Sequence, residues 1–225
     1  RNFVPHSDFK KSFLYEMNGY PEMEFVGDEV FKSKEVLLHD FEIPTQAEVL
    51  SYKKEEKINK APKLFKLSTL QTAAHSALNF SASKTLQVLQ ELYEKKIVSY
   101  PRSDCEYISS ATPVTPIFQM LASRIEVPDG VNMRKISEVM HDGTYANDKA
   151  ISSEGHTAII PTGAAPSGLS RDEMGLYELV ARRFLAVFAE PRVYDSYTIT
   201  AKANQDIYTF TAVNERKPGY KLVLS

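Results

Sequence analysis

The chain changes its hydrophobic period along its length, and this change limits the fold more than any other feature. Residues 194–201 and 207–212 alternate apolar and polar side chains, which is typical of β-strands. Asn204-Gln205-Asp206 predicts the turn between them. The middle of the chain instead repeats its apolar residues at helical spacing. The sequence therefore predicts an α+β protein with more than one domain.

The central helical patterns begin with two closely spaced helices. The first covers 68–78, with Ser68 as its expected N-cap, and Ser81 begins a second that ends near Lys95-Lys96. Because a short β-like segment at Ile97–Tyr100 follows, the arrangement resembles a winged-helix unit. The later predicted helices cover 115–123, 133–140 and 174–188, and Pro191 closes the last of them.

The N-terminal part is predicted to be rich in β-structure. Strands are expected at 9–15 and 31–38, and a short helix at 46–51 with Thr45 as its N-cap. A polar run at 52–57, which leads to Pro62, marks a domain boundary. The order β, α, β predicts a discontinuous β-rich domain of residues 1–60 and 190–225. A mainly helical, winged-helix-like domain of residues 61–189 would be inserted into it.

The composition excludes several classes of protein. Apolar residues make up 43% of the 225 residues, which is enough for a packed core and argues against disorder. The single cysteine, Cys105, excludes a disulfide framework and a cysteine-rich zinc site, and it fits a cytoplasmic location. The sequence has no apolar run of membrane-spanning length. The net charge of -2 neither supports nor excludes DNA as a partner, because opposite faces can differ in charge.

Tyr100-Pro101-Arg102 is the first candidate for chemistry. Pro101 disfavours helical backbone at Tyr100, and in an extended chain residues two apart point to the same side. Tyr100 and Arg102 would then share a face. A guanidinium lowers the cost of forming a phenolate and can hold a phosphate with two hydrogen bonds. The alternative interpretation of the tripeptide is an ordinary strand end.

His156 is the second candidate. It precedes the apolar run Ala158–Ile160, where a histidine is usually a loop residue at the start of a strand. Its functional interpretation is a hydrogen bond to phosphate, or proton transfer near neutral pH. The stretch from Tyr93 to Arg102 combines aromatic and basic residues and would suit single-stranded nucleic acid. For Lys95 and Lys96 alone, however, solvated lysines on an amphipathic helix are the expected interpretation.

Two other residues compete as nucleophiles. Cys105 has no nearby histidine to act as a base, which favours an ordinary small side chain. Tyr107 lacks both the adjacent proline and the arginine two residues later. Arg182 and Arg183 lie among apolar helix positions, where the stems of arginine side chains cover the edge of a core. Tyr100 therefore ranks above the other candidates.

Several segments, taken in order, resemble the type IA DNA topoisomerases, and most of all the bacterial topoisomerase III branch. The segment Ile97–Asp104 is similar to the nucleophile motif of that family, and it has Ser103 where threonine is common. The resemblance covers essentially the whole chain. It is carried by Arg1–Pro5, Pro62–Gln71, Leu92–Glu94 with Ile97–Asp104, Glu154–Thr162, and the helix through Leu176–Phe188.

The resemblance implies a role for each site residue. Tyr100 would attack the backbone of one DNA strand and form a 5′-phosphotyrosyl link. Arg102 would position Tyr100 and stabilise the scissile phosphate, and His156 would contact DNA near the break. A strand passes through the break and the DNA is resealed without ATP, because the phosphotyrosine conserves the bond energy. Further DNA contacts are expected from Gln71, Lys84 and Ser103.

The resemblance also implies that this chain is a central fragment of a longer enzyme. The fragment has no Asp-x-Asp cluster, so Mg²⁺ would be bound by a metal-binding domain that precedes Arg1. No cofactor is expected in the fragment itself. Its partners would be single-stranded DNA and the missing domains of the same enzyme, whose β-rich arch would act as a hinge. Alone it should be monomeric, unable to relax supercoiled DNA, and at most a weak, salt-sensitive binder of single strands.

Two other functions stay open from the sequence. A non-catalytic winged-helix module that binds nucleic acid would not need the hydroxyl of Tyr100. A site-specific recombinase also uses arginine, histidine and tyrosine, but it needs a second arginine at the phosphate and a tyrosine late in the chain. Here Tyr100 precedes His156, which opposes the recombinase.

Overall fold

The structure is a computed structural model that describes residues 8–15, 22–39, 46–129 and 131–225. These residues form two compact units. One unit comprises the described residues up to Lys57 together with Val193–Arg216, and the other comprises Ile58–Arg192 and Lys217–Ser225. Arg1–Pro5 and the expected N-cap Thr45 lie outside the described residues. The mixture of helices with an antiparallel sheet confirms the α+β class.

The first unit contains a five-stranded sheet in the order β1-β2-β5-β4-β3. β1 pairs antiparallel with β2, from Ser12 opposite Val26 to Tyr15 opposite Met23. The alternating segments predicted near the C-terminus are confirmed as β4 and β5, and the turn between them places Asn204 at a φ of 54°. The strands are β1 Ser12–Tyr15, β2 Met23–Gly27, β3 Glu48–Asn59, β4 Arg192–Ala203 and β5 Asp206–Lys217.

A small aromatic core stabilises this sheet. Phe25, Ala201, Ala203 and Tyr208 are buried together. The ring of Phe13 stacks on Phe25 with centroids 5.1 Å apart. Since stacked aromatic pairs add to the energy of burial, these side chains hold β1 and β2 onto the sheet.

Two predictions for the first unit are wrong. Residues 48–51 of the expected helix lie in β3, whose lysines and glutamates are unusual for a strand. An edge strand tolerates such charges, and Lys54 of β3 pairs with the buried Asp195 of β4 at 3.2 Å. The expected strand at 31–38 contains the helix α1, Lys34–His39. Glu35 in its first turn suits the positive end of a helix.

The second unit is helical and holds the larger core. Leu176, Val180 and Phe184 of α7 are fully buried at the centre of that core. Ser170 caps α7, and Glu173 closes the capping box by accepting from the Ser170 N–H at 2.8 Å. The helices of this unit are α2 Leu67–Leu78, α3 Ala82–Glu94, α4 Val114–Ala122, α5 Ile136–His141, α6 Asp148–Glu154, α7 Arg171–Ala186 and α8 Lys221–Leu224.

The helix boundaries agree with the sequence in part. The predicted start of the second helix at Ser81 is confirmed, and Ser81 caps α3, since its hydroxyl accepts from the Lys84 N–H at 3.1 Å. Ser68 does not cap α2, because the helix begins one residue earlier with Lys66 as N-cap. Neither α6 nor α8 was predicted as a helix from the sequence. No helix within the described parts of the chain is both long and apolar enough to cross a membrane.

The C-terminal residues also differ from the predicted domain division. Residues 217–225 belong to the helical unit, although 190–225 were assigned to the β-rich domain, and Lys221–Leu224 form a helix. Gly219 allows this turn, because its φ is 53° and a Cβ there would lie 2.5 Å from the carbonyl oxygens of Glu190 and Pro191. α8 then packs on α7, where Arg182 donates to the Val223 carbonyl at 3.2 Å.

Candidate active site

A short antiparallel ladder brings two distant segments together. After α3 the chain reverses, and residues 97–99 run beside 158–162. The Ser99 N–H donates to the Ile160 carbonyl at 2.9 Å, and the Thr162 N–H donates to the Ile97 carbonyl at 3.0 Å. Because the two segments are antiparallel, the chain beyond Ser99 runs towards the residues that precede Ala158.

The side chain of Ser99 strengthens this ladder. Its hydroxyl donates to the Ala158 carbonyl at 2.8 Å and accepts from the Ile160 N–H at 2.9 Å. One side chain therefore satisfies two main-chain groups of the opposite segment. Sequence reasoning missed Ser99, since nothing in the local pattern distinguishes it from other serines. Its only signal was its place directly before Tyr100.

Beyond the end of this ladder, Tyr100 lies against His156. Their rings stack with centroids 4.2 Å apart and planes inclined by 29°. Tyr93, on the last turn of α3, meets the ring of Tyr100 edge-on with centroids 5.8 Å apart. Tyr100 is half-buried between these two rings, while His156 is exposed. A phenol held on two sides has few ring orientations, and an exposed imidazole beside it can contact a bound phosphate.

Arg102 lies in a turn rather than in an extended segment. Pro101 and Arg102 form the turn, and Pro101 is buried. The expectation that alternation along a strand places Arg102 on the face of Tyr100 is therefore wrong in its premise. The Arg102 side chain is exposed, and the structure gives it no ion-pair partner among the residues it describes. Its guanidinium is available to an anion from outside the chain.

The three expected DNA contacts differ in their surroundings. Ser103 is buried, and its hydroxyl accepts from the Cys105 N–H at 3.1 Å, so in this structure its side chain is used within the chain. Lys84 pairs with Asp172 at 2.8 Å, and this partner raises the pKa of the lysine. The amide of Gln71 donates to the Ala82 carbonyl at 3.1 Å and links α2 to the start of α3.

Lys95 was expected to be solvated, but it forms an ion pair. Its Nζ lies 2.6 Å from Oε1 of Glu173, which is buried at the N-terminus of α7. The hydrogen bond from Lys95 is the main reason that the pKa of Glu173 is lowered, and the Ser170 N–H acts in the same direction. The pair joins the end of α3 to the start of α7.

Cys105 and Tyr107, the two competing nucleophiles, both form contacts with neighbouring groups of the chain. Cys105 is buried, and its Sγ lies 3.7 Å from the carbonyl oxygen of Tyr107. The hydroxyl of Tyr107 accepts a hydrogen bond from Lys63, whose Nζ also lies 4.2 Å from the ring centroid. The prediction that Arg183 covers the core edge is confirmed, since its guanidinium lies 4.1 Å from the ring centroid of Phe65.

The site offers no group of metal ligands. Among residues 8–15, 22–39, 46–129 and 131–225, histidine, cysteine, aspartate and glutamate side chains form no cluster of three that could hold an ion. Asp104 and Glu106 follow the nucleophile motif, but they have no third partner. The described residues of this chain therefore do not fit the Mg²⁺ ion that the resemblance implies.

Comparisons with known proteins show the family of this chain. A family model described as DNA topoisomerase matches residues 12–225. DNA topoisomerase 3 of Bacillus subtilis is 37% identical over 79% of this chain, which covers 25% of that protein. DNA topoisomerase 1 of Pyrococcus horikoshii is 31% identical over 98% of this chain, which covers 32% of that protein. The chain thus spans a quarter to a third of the curated relatives it matches.

A solved structure shares the fold. It is titled as the full-length topoisomerase I from Thermotoga maritima in a monoclinic crystal form. The superposition has a TM-score of 0.63, covers 98% of this chain and 36% of the other, and has 24% sequence identity. At that identity the likeness concerns the fold alone.

Proposed function

This chain belongs to the type IA DNA topoisomerases, and from that membership we propose that Tyr100 cleaves DNA in the enzyme of which the chain is part. The observation that carries the proposal is the stack of Tyr100 on His156, which joins the two motifs of the resemblance at one place. The substrate would be a single DNA strand. The enzyme would pass another strand through the break, reseal it, and so change DNA topology without ATP.

The chemistry would be a transesterification at phosphorus. The phenolic oxygen of Tyr100 attacks a backbone phosphate, the bond from phosphorus to the 3′ oxygen breaks, and the 5′ phosphate stays on the tyrosine. The phenol loses its proton and the released 3′ oxygen gains one. Religation is the reverse attack by the 3′ hydroxyl. One phosphodiester replaces another, so no external energy source is required.

Arg102 and His156 would act on the phosphate that is attacked. An exposed guanidinium without a counter-ion among the described residues is suited to bind the non-bridging oxygens. The imidazole in contact with the ring of Tyr100 would donate a hydrogen bond to the same phosphate or its neighbour. Both residues would thereby stabilise negative charge in the transition state.

The β-rich unit would serve as the arch and hinge of the gate, and the winged-helix-like unit would carry the tyrosine. Mg²⁺ would be bound elsewhere in the longer enzyme. By this proposal the 225-residue chain alone does not relax supercoiled DNA. Detectable relaxation by the purified chain in the presence of Mg²⁺ would contradict that part of the proposal.

The decisive experiment identifies the residue that becomes attached to DNA. The complete enzyme is trapped on a labelled single-stranded oligonucleotide, digested, and the modified peptide is sequenced by mass spectrometry. We expect the adduct on Tyr100 and its loss in Tyr100→Phe, whereas Tyr107→Phe serves as the matched control and should retain it. An adduct on any other residue would overturn the proposal. If Tyr100→Phe kept full activity, the non-catalytic nucleic-acid-binding alternative would replace it.

A further inference from the structure

The helical unit has a groove beside the residues that lead into Tyr100. It has a volume of about 400 Å³, within the range of sites that hold small ligands. Tyr93 forms one wall and also contacts the edge of Tyr100, while Ser99 is the residue that precedes Tyr100. The groove is lined by Tyr93, Glu94, Lys96, Val98, Ser99 and Thr162.

Lys96 adopts a backbone conformation that usually favours glycine. Its φ is 60°, and it occupies the position just after the end of α3 where helices commonly place glycine. A residue with a Cβ adopts this conformation at an energetic cost. The hydroxyl of Thr162 donates to the Lys96 carbonyl at 2.6 Å, and the Lys96 N–H donates to the Tyr93 carbonyl at 2.8 Å. Strain of this kind collects at functional sites.

The charge of Lys96 is not used within the described parts of the chain. Its neighbour Lys95 pairs with Glu173 at 2.6 Å, but Lys96 has no ion-pair partner among the described residues. The acid in the groove, Glu94, accepts a hydrogen bond from the Gln90 amide at 3.1 Å. Two adjacent lysines therefore differ, because one fastens two helices and the other leaves a cation at the groove.

We infer that Lys96 binds a backbone phosphate of the DNA strand next to the phosphate attacked by Tyr100, and that the groove receives the nucleotide between them. The inference rests on the proposed function. A strand attacked at Tyr100 carries one phosphate per nucleotide, so its next phosphate must pass close to the groove. A lysine cation at that place neutralises the phosphate, and the apolar wall accommodates the sugar and base.

The test measures how the affinity of the complete enzyme for a single-stranded oligothymidylate depends on salt. One phosphate contact on a single strand contributes about 0.7 to the slope of log affinity against log salt. Lys96→Gly should lower the slope by that amount. If the two proteins bind equally at 1 M salt, the variant should then bind about fivefold more weakly at 0.1 M salt. Lys96→Arg, which keeps the cation, should retain both the salt slope and the affinity of the unaltered enzyme.

Stability separates this effect from damage to the fold. Lys96→Gly relieves the positive φ, so its melting temperature should be unchanged or raised while its affinity falls. Lys95→Gln is the matched control, which should lower the melting temperature and leave the slope unchanged. An unchanged slope in Lys96→Gly would overturn the inference, even if the adduct still forms on Tyr100. An adduct on another residue would instead overturn the proposed function, whatever the slope.

Discussion

The ring of Tyr100 rests on the imidazole of His156, with centroids 4.2 Å apart and planes inclined by only 29°. The contact joins a residue at the end of one helical hairpin to a residue from a loop far along the chain. The contact brings the segment that contains Tyr100 and the segment that contains His156 together at one site. The imidazole is exposed, so its nitrogen atoms remain accessible to a ligand beside the tyrosine.

Replacement of His156 by phenylalanine separates stacking from hydrogen bonding. His156→Phe keeps an aromatic ring against Tyr100 but has no N–H to donate to phosphate. Loss of a hydrogen bond to a charged group should slow adduct formation about ten- to hundredfold in the complete enzyme. Single-turnover cleavage of an oligonucleotide measures this rate, with the exposed His141→Phe as control. A normal rate in His156→Phe would show that the histidine acts through stacking only.

Removal of the Ser99 hydroxyl should weaken the helical unit. Ser99→Ala leaves the buried Ile160 N–H without its acceptor, which should cost about 1–3 kcal/mol of unfolding free energy. Urea denaturation followed by circular dichroism measures the loss. Ser167→Ala, at an exposed position, should change the stability by less than about 0.5 kcal/mol. Equal effects of the two substitutions would refute the role assigned to Ser99.

The Lys95–Glu173 pair should make the protein sensitive to acid. The folded state lowers the pKa of Glu173 from its ordinary 4.5, chiefly through the hydrogen bond from Lys95. Stability from this group is therefore present above pH 4.5 and is lost as the pH falls through the lower folded pKa. Glu173→Gln should reduce stability by about 1–2 kcal/mol at neutral pH and flatten the acid limb.

Unfolding titrations between neutral and acid pH test this expectation. Glu178→Gln, at an exposed position on the same helix, should keep the acid limb of the unaltered protein. An acid limb that stays the same in Glu173→Gln would mean that other carboxylates cause the loss.

Two buried tyrosines should set the alkaline limit. Burial raises the pKa of Tyr145 and of Tyr177 from 10.0 to about 12. Above pH 10 the unfolded chain loses these protons more readily than the folded chain, so stability falls as the pH rises towards 12. Tyr145→Phe should reduce this fall, although it loses the 2.7 Å hydrogen bond to the Ala61 carbonyl and about 1 kcal/mol at neutral pH.

Melting temperatures measured from pH 8 to about 12 check the alkaline prediction. Tyr52→Phe, at a position 61% exposed on β3, is the control and should not alter the steepness. The prediction is wrong if Tyr145→Phe loses stability as steeply as the unaltered protein.

The sequence correctly predicted the elements whose structure is determined by neighbouring residues. The hairpin of β4 and β5 follows from alternation with a polar turn, and α3 follows from its apolar spacing and the Ser81 cap. β3 was missed because an edge strand carries charges that resemble a solvated run. α8 was missed because its place depends on Gly219 turning back against residues 190–191, a contact that no local window contains.

The candidate site followed the same division. Tyr100 and His156 were each named as candidates from their local sequence, but only the resemblance assigned them to one site, since no spacing rule connects residues so far apart. The expected geometry of Arg102 failed because Pro101 began a turn that the proline rule does not require. Lys95 and Lys96 are identical side chains in adjacent positions. Only the packing of α7 against α3 gives one of them a carboxylate partner.

The short ladder between residues 97–99 and 158–162 makes chain length critical at two places. Insertion or deletion of one residue within either of these two segments would shift the pairing register and turn the later side chains of that segment to the opposite face. Tyr100 would then leave His156 even though all the residues of both motifs were still present. Homologous chains that keep this chemistry should therefore hold these two segments free of insertions and deletions, and confine their length variation to the surface loops between them.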